Sequence, residues 1–266
     1  MQIAPPGSEV AFALKATPAV LGAEGRAGVT TTAQILAAIG ARHRDGEPLT
    51  DLVCIDCARS LRMTGVGMSL MNDAGHQAVI GSSGPVASRL EEIQFDLGEG
   101  PSLDASRSDC VVGCDDLNDG VLMRWPAFAT AALAAGIKAV TAVPLSVGGV
   151  RLGSLSMYRS TPGRLDQEQC ATAHAYGGAA VVVLLHLQDR IPSLDGLHPD
   201  LAAPVAYRAE VHQATGFLAV KAAVGMTEAL LLLRAHAFAS GRSLLDVARD
   251  VLAGRLRILP EESEDG

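Results

Sequence analysis

The chain has 266 residues, of which 48% are hydrophobic and 19% charged, and its formal net charge is −8. This length and apolar content suffice for a substantial buried core in one or two domains. A run of about 18 uncharged apolar residues is absent, so the sequence predicts no membrane span. The N-terminal residues lack the pattern of a signal peptide, and we therefore expect a cytoplasmic protein.

The N-terminal segment, residues 1–28, is rich in Ala, Gly and Pro and has no sustained periodicity. This composition is typical of a flexible arm. A helix is predicted next, over residues 32–41, because apolar residues recur there at helical spacing. A second helical segment begins near Pro48 and carries Cys54 and Cys57.

The five cysteines are an odd number, and we expect no disulfide framework in a reducing compartment. Cys54 and Cys57 form a CxxC motif, whereas Cys110 and Cys114 are spaced CxxxC in strand-like surroundings. Three interpretations of the CxxC pair stay open: two small core residues, a redox sensor, or half of a zinc site. We assign no metal site.

The middle of the chain alternates strand and helix patterns. In order, it predicts a hairpin, a helix, a short strand, a helix, a second hairpin and a long helix, over residues 66–80, 87–94, 110–114, 125–135, 140–158 and 166–189. Strands that follow one another, with helices on the flanks, indicate an α+β domain built on an antiparallel sheet.

Three motifs in this region carry a family resemblance. TGVGMSLMNDAG, EEIQFDLGEGPSLDA and RWPAFATAALAAGIKAVTAVPLSVGGVRLGSLSMY together resemble a GAF domain, to which we assign residues 29–190. The resemblance implies a sensor that holds a small molecule between its sheet and the flanking loops. Related GAF domains joined to RNA-binding modules often have Cys after the Pro of the second motif, but here the residue is Ser102. A thiol mechanism therefore does not carry over.

Candidates for the ligand pocket are Gly98, Gly100 and Trp125. Each also has a structural interpretation, because glycine permits a tight backbone path and a single Trp commonly fills a core. His76 lies in a predicted turn, so we assign neither haem nor any other cofactor. Nucleophile-elbow, zinc-protease, Walker and dinucleotide motifs are all absent, and we expect the chain not to be an enzyme.

The long helix presents small and apolar residues at a spacing of three and four, and we expect it to form a homodimer through Ala173, Gly177, Ala180, Leu184 and Leu187. Prolines and a glycine follow it and predict a linker over residues 191–203.

Three short amphipathic helices are predicted over residues 204–259, before an acidic tail at 260–266. The second helix is expected to begin at Thr227 and to end at Gly241, and the third to begin at Ser243. The runs RAEVHQATG, EALLLLRAHAFASGR and LLDVARDVLAGRL resemble an ANTAR domain, the RNA-binding antiterminator module of bacterial regulators. The resemblance implies a small all-α domain that binds stem-loops in nascent transcripts.

The charge of this segment differs from that of the rest of the chain. Residues 205–258 contain seven Lys or Arg and four Asp or Glu, a net charge of +3, although the whole chain carries −8. A basic surface attracts phosphates, while exposed charges on small helices are also common without a ligand. The candidate RNA contacts are Arg208, His212, Lys221, Arg234 and Arg242.

We therefore expect a signal-responsive regulator that binds RNA stem-loops and promotes antitermination, with an unidentified small molecule bound at the GAF domain. Two alternatives stay open. The chain could be a redox or metabolite sensor that acts through a protein partner, or the helices could recognise duplex DNA.

Overall fold

The structure is a computed structural model that describes residues 30–43, 47–72, 75–119, 124–189 and 199–258. Only the backbone is described for residues 72, 75–77, 188–189 and 199–208. The predicted N-terminal arm, most of the predicted linker and the acidic tail lie outside the described residues.

Fourteen elements follow one another along the described chain. They are α1 (Thr32–Arg42), α2 (Leu49–Leu61), β1 (Gly65–Asn72), β2 (Gly75–Ser82), α3 (Pro85–Leu97), α4 (Pro101–Ser108), β3 (Val112–Cys114), α5 (Pro126–Ala134), β4 (Ala139–Val147), β5 (Val150–Arg159), α6 (Gln167–Asp189), α7 (Pro199–Ala222), α8 (Met226–Ser240) and α9 (Leu244–Leu252).

The strands form a five-stranded sheet in the order β2-β1-β5-β4-β3, and each neighbouring pair is antiparallel. Both predicted hairpins are confirmed, because β1 pairs with β2 and β4 pairs with β5. The α+β prediction for this domain, an antiparallel sheet flanked by helices, is likewise confirmed.

Helices cover both faces of the sheet. Successive residues of a strand point to opposite faces, so Leu155 and Met157 enter one core while Ser156 and Tyr158 face the other. The first core lies against α1, α2 and α6. The second lies against α3, α4 and α5. A group of buried polar side chains, including Glu91, Gln94, Ser102 and Ser156, lies on this second face.

The predicted dimer face of α6 is used inside the chain itself. Ala173, Ala180, Leu184 and Leu187 are all buried in the first core, and a Cβ on Gly177 would lie 3.2 Å from Val143. This face is therefore not available to a second copy, because it packs on the sheet and on the first two helices. The expectation of a dimer through these residues is corrected, and homodimerisation by another surface stays a prediction.

One helix in the described part of the chain, Gln167–Leu187, is long and apolar enough to cross a membrane, but most of it is buried in the core. The segments Ala209–Ala222 and Met226–Ser240 meet the same criterion only as a pair, and the pair is bent by 107°. A packed core helix of this kind does not indicate a membrane protein.

The last three helices pack around their own apolar cluster, which includes Val211, Leu218, Leu233, Leu244 and Val251. The first of them begins at Pro199, inside the segment predicted as linker, because proline suits the first turn of a helix.

The ends of the other two helices follow local cap chemistry. Ser243 caps α9 as predicted, since its Oγ accepts a hydrogen bond of 3.1 Å from the Asp246 amide. Gly241 ends α8 in the left-handed conformation, also as predicted. The start of α8 differs: its N-cap is Gly225 rather than Thr227, and no side chain caps it.

Candidate sensor core and nucleic-acid interface

A carboxylate lies at the centre of the second core. Glu91 of α3 is completely buried. The Tyr158 hydroxyl donates to its Oε1 over 2.5 Å, and the Ser69 hydroxyl donates to its Oε2 over 2.5 Å. A buried carboxylate needs such donors, because losing its hydration without replacement costs several kcal/mol. The interaction therefore ties α3 to two neighbouring strands.

The network continues from α3 into α4. Gln94 donates from Nε2 to the Tyr158 hydroxyl over 2.9 Å and accepts at Oε1 from the Ser102 amide over 2.8 Å. The Ser102 hydroxyl shares a hydrogen bond of 2.5 Å with that of Ser156. All four side chains are buried. The departure from the family pattern at Ser102 thus supplies a hydroxyl to this network.

Two glycines make room for the network. A Cβ on Gly67 would lie 2.5 Å from Cγ of Glu91, and a Cβ on Gly100 would lie 2.3 Å from Oε1 of Gln94. Gly100 also has φ +137°, a conformation that other residues rarely adopt. Burial, followed by the charge of Glu91, raises the pKa of the Tyr158 phenol well above its usual value. The phenol therefore stays protonated and donates its hydrogen bond to Glu91.

The other pocket candidates have structural contacts as well. Trp125 is 2% exposed, donates from Nε1 to Oδ2 of Asp104 over 3.0 Å, and meets Phe128 edge to face at 6.3 Å between ring centroids. Gly98 ends α3 with φ +70°. Between the two glycines, Oε1 of Glu99 accepts hydrogen bonds of 2.8 Å from the Ala127 and Phe128 amides at the start of α5. The loop holds α3, α4 and α5 together, and ligand contact by Gly98, Gly100 or Trp125 stays a prediction.

The CxxC motif lies in the first core. Cys54 and Cys57 are fully buried within α2, and burial raises the pKa of both thiols. A thiolate is the reactive form of cysteine, so this environment favours the packing interpretation over redox sensing. Among the residues that the structure describes, no group of His, Cys, Asp and Glu could hold a metal ion.

The basic candidates in the last three helices have different surroundings. The side chain of Arg208 is outside the described residues, whereas His212, Lys221 and Arg242 are exposed. Nζ of Lys221 lies 5.7 Å from the ring centroid of Phe217, which is 43% exposed. Arg242 also pairs with Asp250 at 2.7 Å. Three candidates are thus at the surface, one of them beside an exposed aromatic ring.

Arg234 occupies a different position. It lies half-buried on α8, and its Nη2 donates over 3.0 Å to the backbone carbonyl of Phe95, the residue after Gln94 on α3. Burial lowers the pKa of its guanidinium, and the nearby Asp96 opposes this effect. The Phe95 ring is 4% exposed and belongs to the apolar cluster of the last three helices.

Sequence reasoning missed Phe95. Its only local signal is an apolar residue in the last turn of a polar helix, and the pairing with Arg234 spans 139 positions. Residues so far apart are brought together by the fold and not by any pattern of spacing.

Two family models match the chain. Residues 47–184 match the GAF domain, and residues 200–252 match the ANTAR domain. The chain belongs to the GAF domain family and carries an ANTAR domain. The GAF match spans more than half of the 266 residues, and residues 185–199, which lie between the two matches, include most of the predicted linker. A GAF sensor domain joined to an ANTAR output domain is the organisation of a signal-responsive regulator.

Solved structures of GAF domains are also similar. The GAF domain of an Acinetobacter phosphoenolpyruvate-protein phosphotransferase has 11% identity and a TM-score of 0.46, covering 62% of this chain and 95% of that one. A GAF domain from a phosphoenolpyruvate-protein phosphotransferase of Coxiella burnetii has 12% identity and a TM-score of 0.45, covering 60% and 93%. No curated protein matches the chain.

Proposed function

We propose that this GAF–ANTAR protein is a cytoplasmic, non-enzymatic regulator that binds stem-loops in nascent RNA and so prevents formation of a transcription terminator. The ANTAR match over residues 200–252 is the observation that carries this proposal, because RNA binding and antitermination are the known role of that domain. A small molecule at the GAF domain would supply the signal, and a homodimer would present two RNA-binding surfaces.

The exposed residues of α7 suit an RNA loop. Unpaired bases in loops stack on aromatic rings and guanidinium planes, while the deep major groove of A-form RNA excludes side chains. Phe217 offers such a ring, and Lys221 places a cation beside it. His212 is exposed five residues before Phe217 on the same helix. We therefore propose Phe217 as a base-stacking residue in addition to the basic candidates.

A binding titration tests the function. Purified protein is titrated against a tandem stem-loop RNA, the same RNA with scrambled loops, and duplex DNA of equal length, at near-physiological salt. Tight binding to the intact stem-loops alone is the expected result. Equal binding to all three nucleic acids would contradict the proposal, and preference for the duplex would favour the DNA-binding alternative.

A matched pair of lysine variants locates the surface. Lys221→Gln removes a charge from α7, and Lys138→Gln removes the same charge from an exposed position on the GAF domain. We expect Lys221→Gln alone to weaken stem-loop binding and to reduce its salt dependence by about one counterion. Equal effects of the two changes would mean that lysine acts through net charge and not through position.

A further inference from the structure

The GAF and ANTAR domains contact each other where α7 packs against β2 and at the end of α3, where the contact is apolar. Phe95 belongs to the GAF domain by sequence, yet its ring packs in the ANTAR cluster with residues of α7, α8 and α9 such as Val211, Leu218, Leu233 and Leu244. Burying an aromatic ring of this kind removes a large apolar surface from water. The contact is therefore a docking site and not an incidental touch between neighbours.

A polar contact lies beside the Phe95 ring. The Phe95 carbonyl lies in the last turn of α3, at the carboxyl end of that helix. Arg234 donates to this carbonyl, and its positive charge lies at the negative end of the helix dipole. A Cβ on Gly98 would lie 2.6 Å from Nη1 of Arg234, so the absence of a side chain there leaves space for the guanidinium.

The same helix carries the buried network. Glu91 lies one turn before Phe95, and Gln94 immediately precedes it. These two side chains hold α3 to the sheet and to Ser102 of α4. A change in this network that rotates or shifts the end of α3 moves Phe95 and its carbonyl together. Packed helices respond to such changes by moving between discrete positions. Because the buried network and the docking site lie on the same helix, a movement of α3 displaces both.

We propose that the end of α3 and RNA compete for the α8 surface around Arg234, and that the signal sensed by the GAF domain acts by releasing this contact. In the docked arrangement the Arg234 guanidinium is half-buried against Phe95 and faces a backbone carbonyl instead of a phosphate. A ligand that binds the undocked arrangement more tightly shifts the protein toward it and raises RNA affinity. This inference rests on the proposed RNA-binding function.

The experiment uses Gly98→Asn in the full chain. Asn tolerates the left-handed conformation better than other side chains do, and its Cβ displaces only the flexible end of Arg234. Gly136→Asn is the control, because Gly136 has φ +79° but nothing within 4 Å of its Cβ position. The two changes therefore carry similar backbone strain, and only the first disturbs the docking contact.

Two readouts separate docking from RNA binding. Hydrogen exchange without RNA reports docking, and we expect faster exchange at the end of α3 and in α8 for Gly98→Asn but not for Gly136→Asn. Titration with stem-loop RNA reports the competition, and we expect Gly98→Asn to bind roughly tenfold more tightly, within the usual range of coupling between two sites. Because coupling is reciprocal, saturating RNA should also speed exchange at the end of α3 in the unmodified protein.

Each contrary result has a distinct meaning. Unchanged exchange in Gly98→Asn would overturn the docking role of Arg234. Faster exchange with unchanged RNA affinity would overturn the competition while leaving the docking contact intact. Absence of stem-loop binding in every variant would refute the proposed function itself, and the exchange data would still decide whether the domains dock through α3.

Discussion

Tyr158 shows how one hydroxyl organises the sensor core. It donates to Glu91 and accepts from Gln94, and all three side chains are buried. Buried polar groups of this kind stabilise a fold only when every partner is satisfied. The phenol therefore acts through the groups it keeps hydrogen-bonded more than through its own burial.

Tyr158→Phe tests this role. Removing the hydroxyl leaves a buried carboxylate oxygen and an amide with one partner fewer, so we expect the free energy of unfolding to fall by about 1–3 kcal/mol in urea denaturation. Tyr176→Phe is the comparison, because that hydroxyl donates to Asp56, whose side chain is 19% exposed and keeps its ion pair with Arg42. A loss in Tyr158→Phe no larger than that in Tyr176→Phe would contradict the argument.

Cysteine burial gives a second prediction. Treating the folded protein with iodoacetamide at pH 8 should modify the exposed Cys110 and leave Cys54 and Cys57 intact, as peptide mass spectrometry would show. Rapid alkylation of the two buried thiols in the native state would reopen the redox interpretation. The burial of Cys54 and Cys57 also makes the stability of the fold depend on pH.

The direction in which stability changes with pH follows from the raised pKa values of Cys54 and Cys57. Above about pH 8.5 the unfolded chain loses thiol protons that the folded chain retains. The stability from this source is therefore complete below that pH and declines as the pH rises further. Urea denaturation of Cys54→Ala with Cys57→Ala should show a weaker alkaline decline than the unmodified chain.

At the scale of helices and strands, local chemistry decides most boundaries. Gly241 and Ser243 were identified as helix ends from residue type alone, and both hairpins follow from alternation and turn residues. Prediction from the sequence fails where two interacting residues are far apart along the chain. Glu91 and Tyr158 are 67 positions apart, and nothing in their local patterns pairs them. The α6 face was misassigned for the same reason, since a stripe of small residues packs equally well on a sheet or on a second helix.

The cap of α9 yields a prediction at this scale. Ser243→Ala removes the acceptor for the Asp246 amide, and we expect the ANTAR domain to lose about 1 kcal/mol of stability. Ser240→Ala, which removes an exposed hydroxyl bonded within α8, should change stability by less than about 0.5 kcal/mol. Circular dichroism during urea titration measures both. Equal effects would show that the cap contributes nothing specific.

For the whole molecule, the docking of α3 couples the unfolding of two domains. Phe95 is covered by ANTAR residues, so the ANTAR domain gains stability from a side chain that the GAF domain holds in place. Domains coupled in this way unfold together, and domains without such a contact unfold separately. The same coupling would carry a signal in the folded protein.

Phe95→Ala should separate the two transitions in differential scanning calorimetry. We expect the ANTAR transition to move down by at least about 4 °C, since 1 kcal/mol shifts the Tm of a small domain by about 4–8 °C. Phe128→Leu is the control, because Phe128 is fully buried inside the GAF core and touches no ANTAR cluster. It should lower the GAF transition without separating the two. An unchanged profile for Phe95→Ala would show that Phe95 does not couple the unfolding of the two domains.

The position of Phe95 also bears on how the protein is made. Synthesis runs from the N-terminus, and domains generally fold as they leave the ribosome. The GAF sheet is complete once its last strand, Val150–Arg159, has emerged, while the helices that cover Phe95 begin only at Pro199. The nascent GAF domain therefore displays a bare aromatic ring until the ANTAR helices arrive. Docking of α3 therefore follows synthesis of the ANTAR helices, and a ribosome that stalls before them leaves this ring exposed to neighbouring nascent chains.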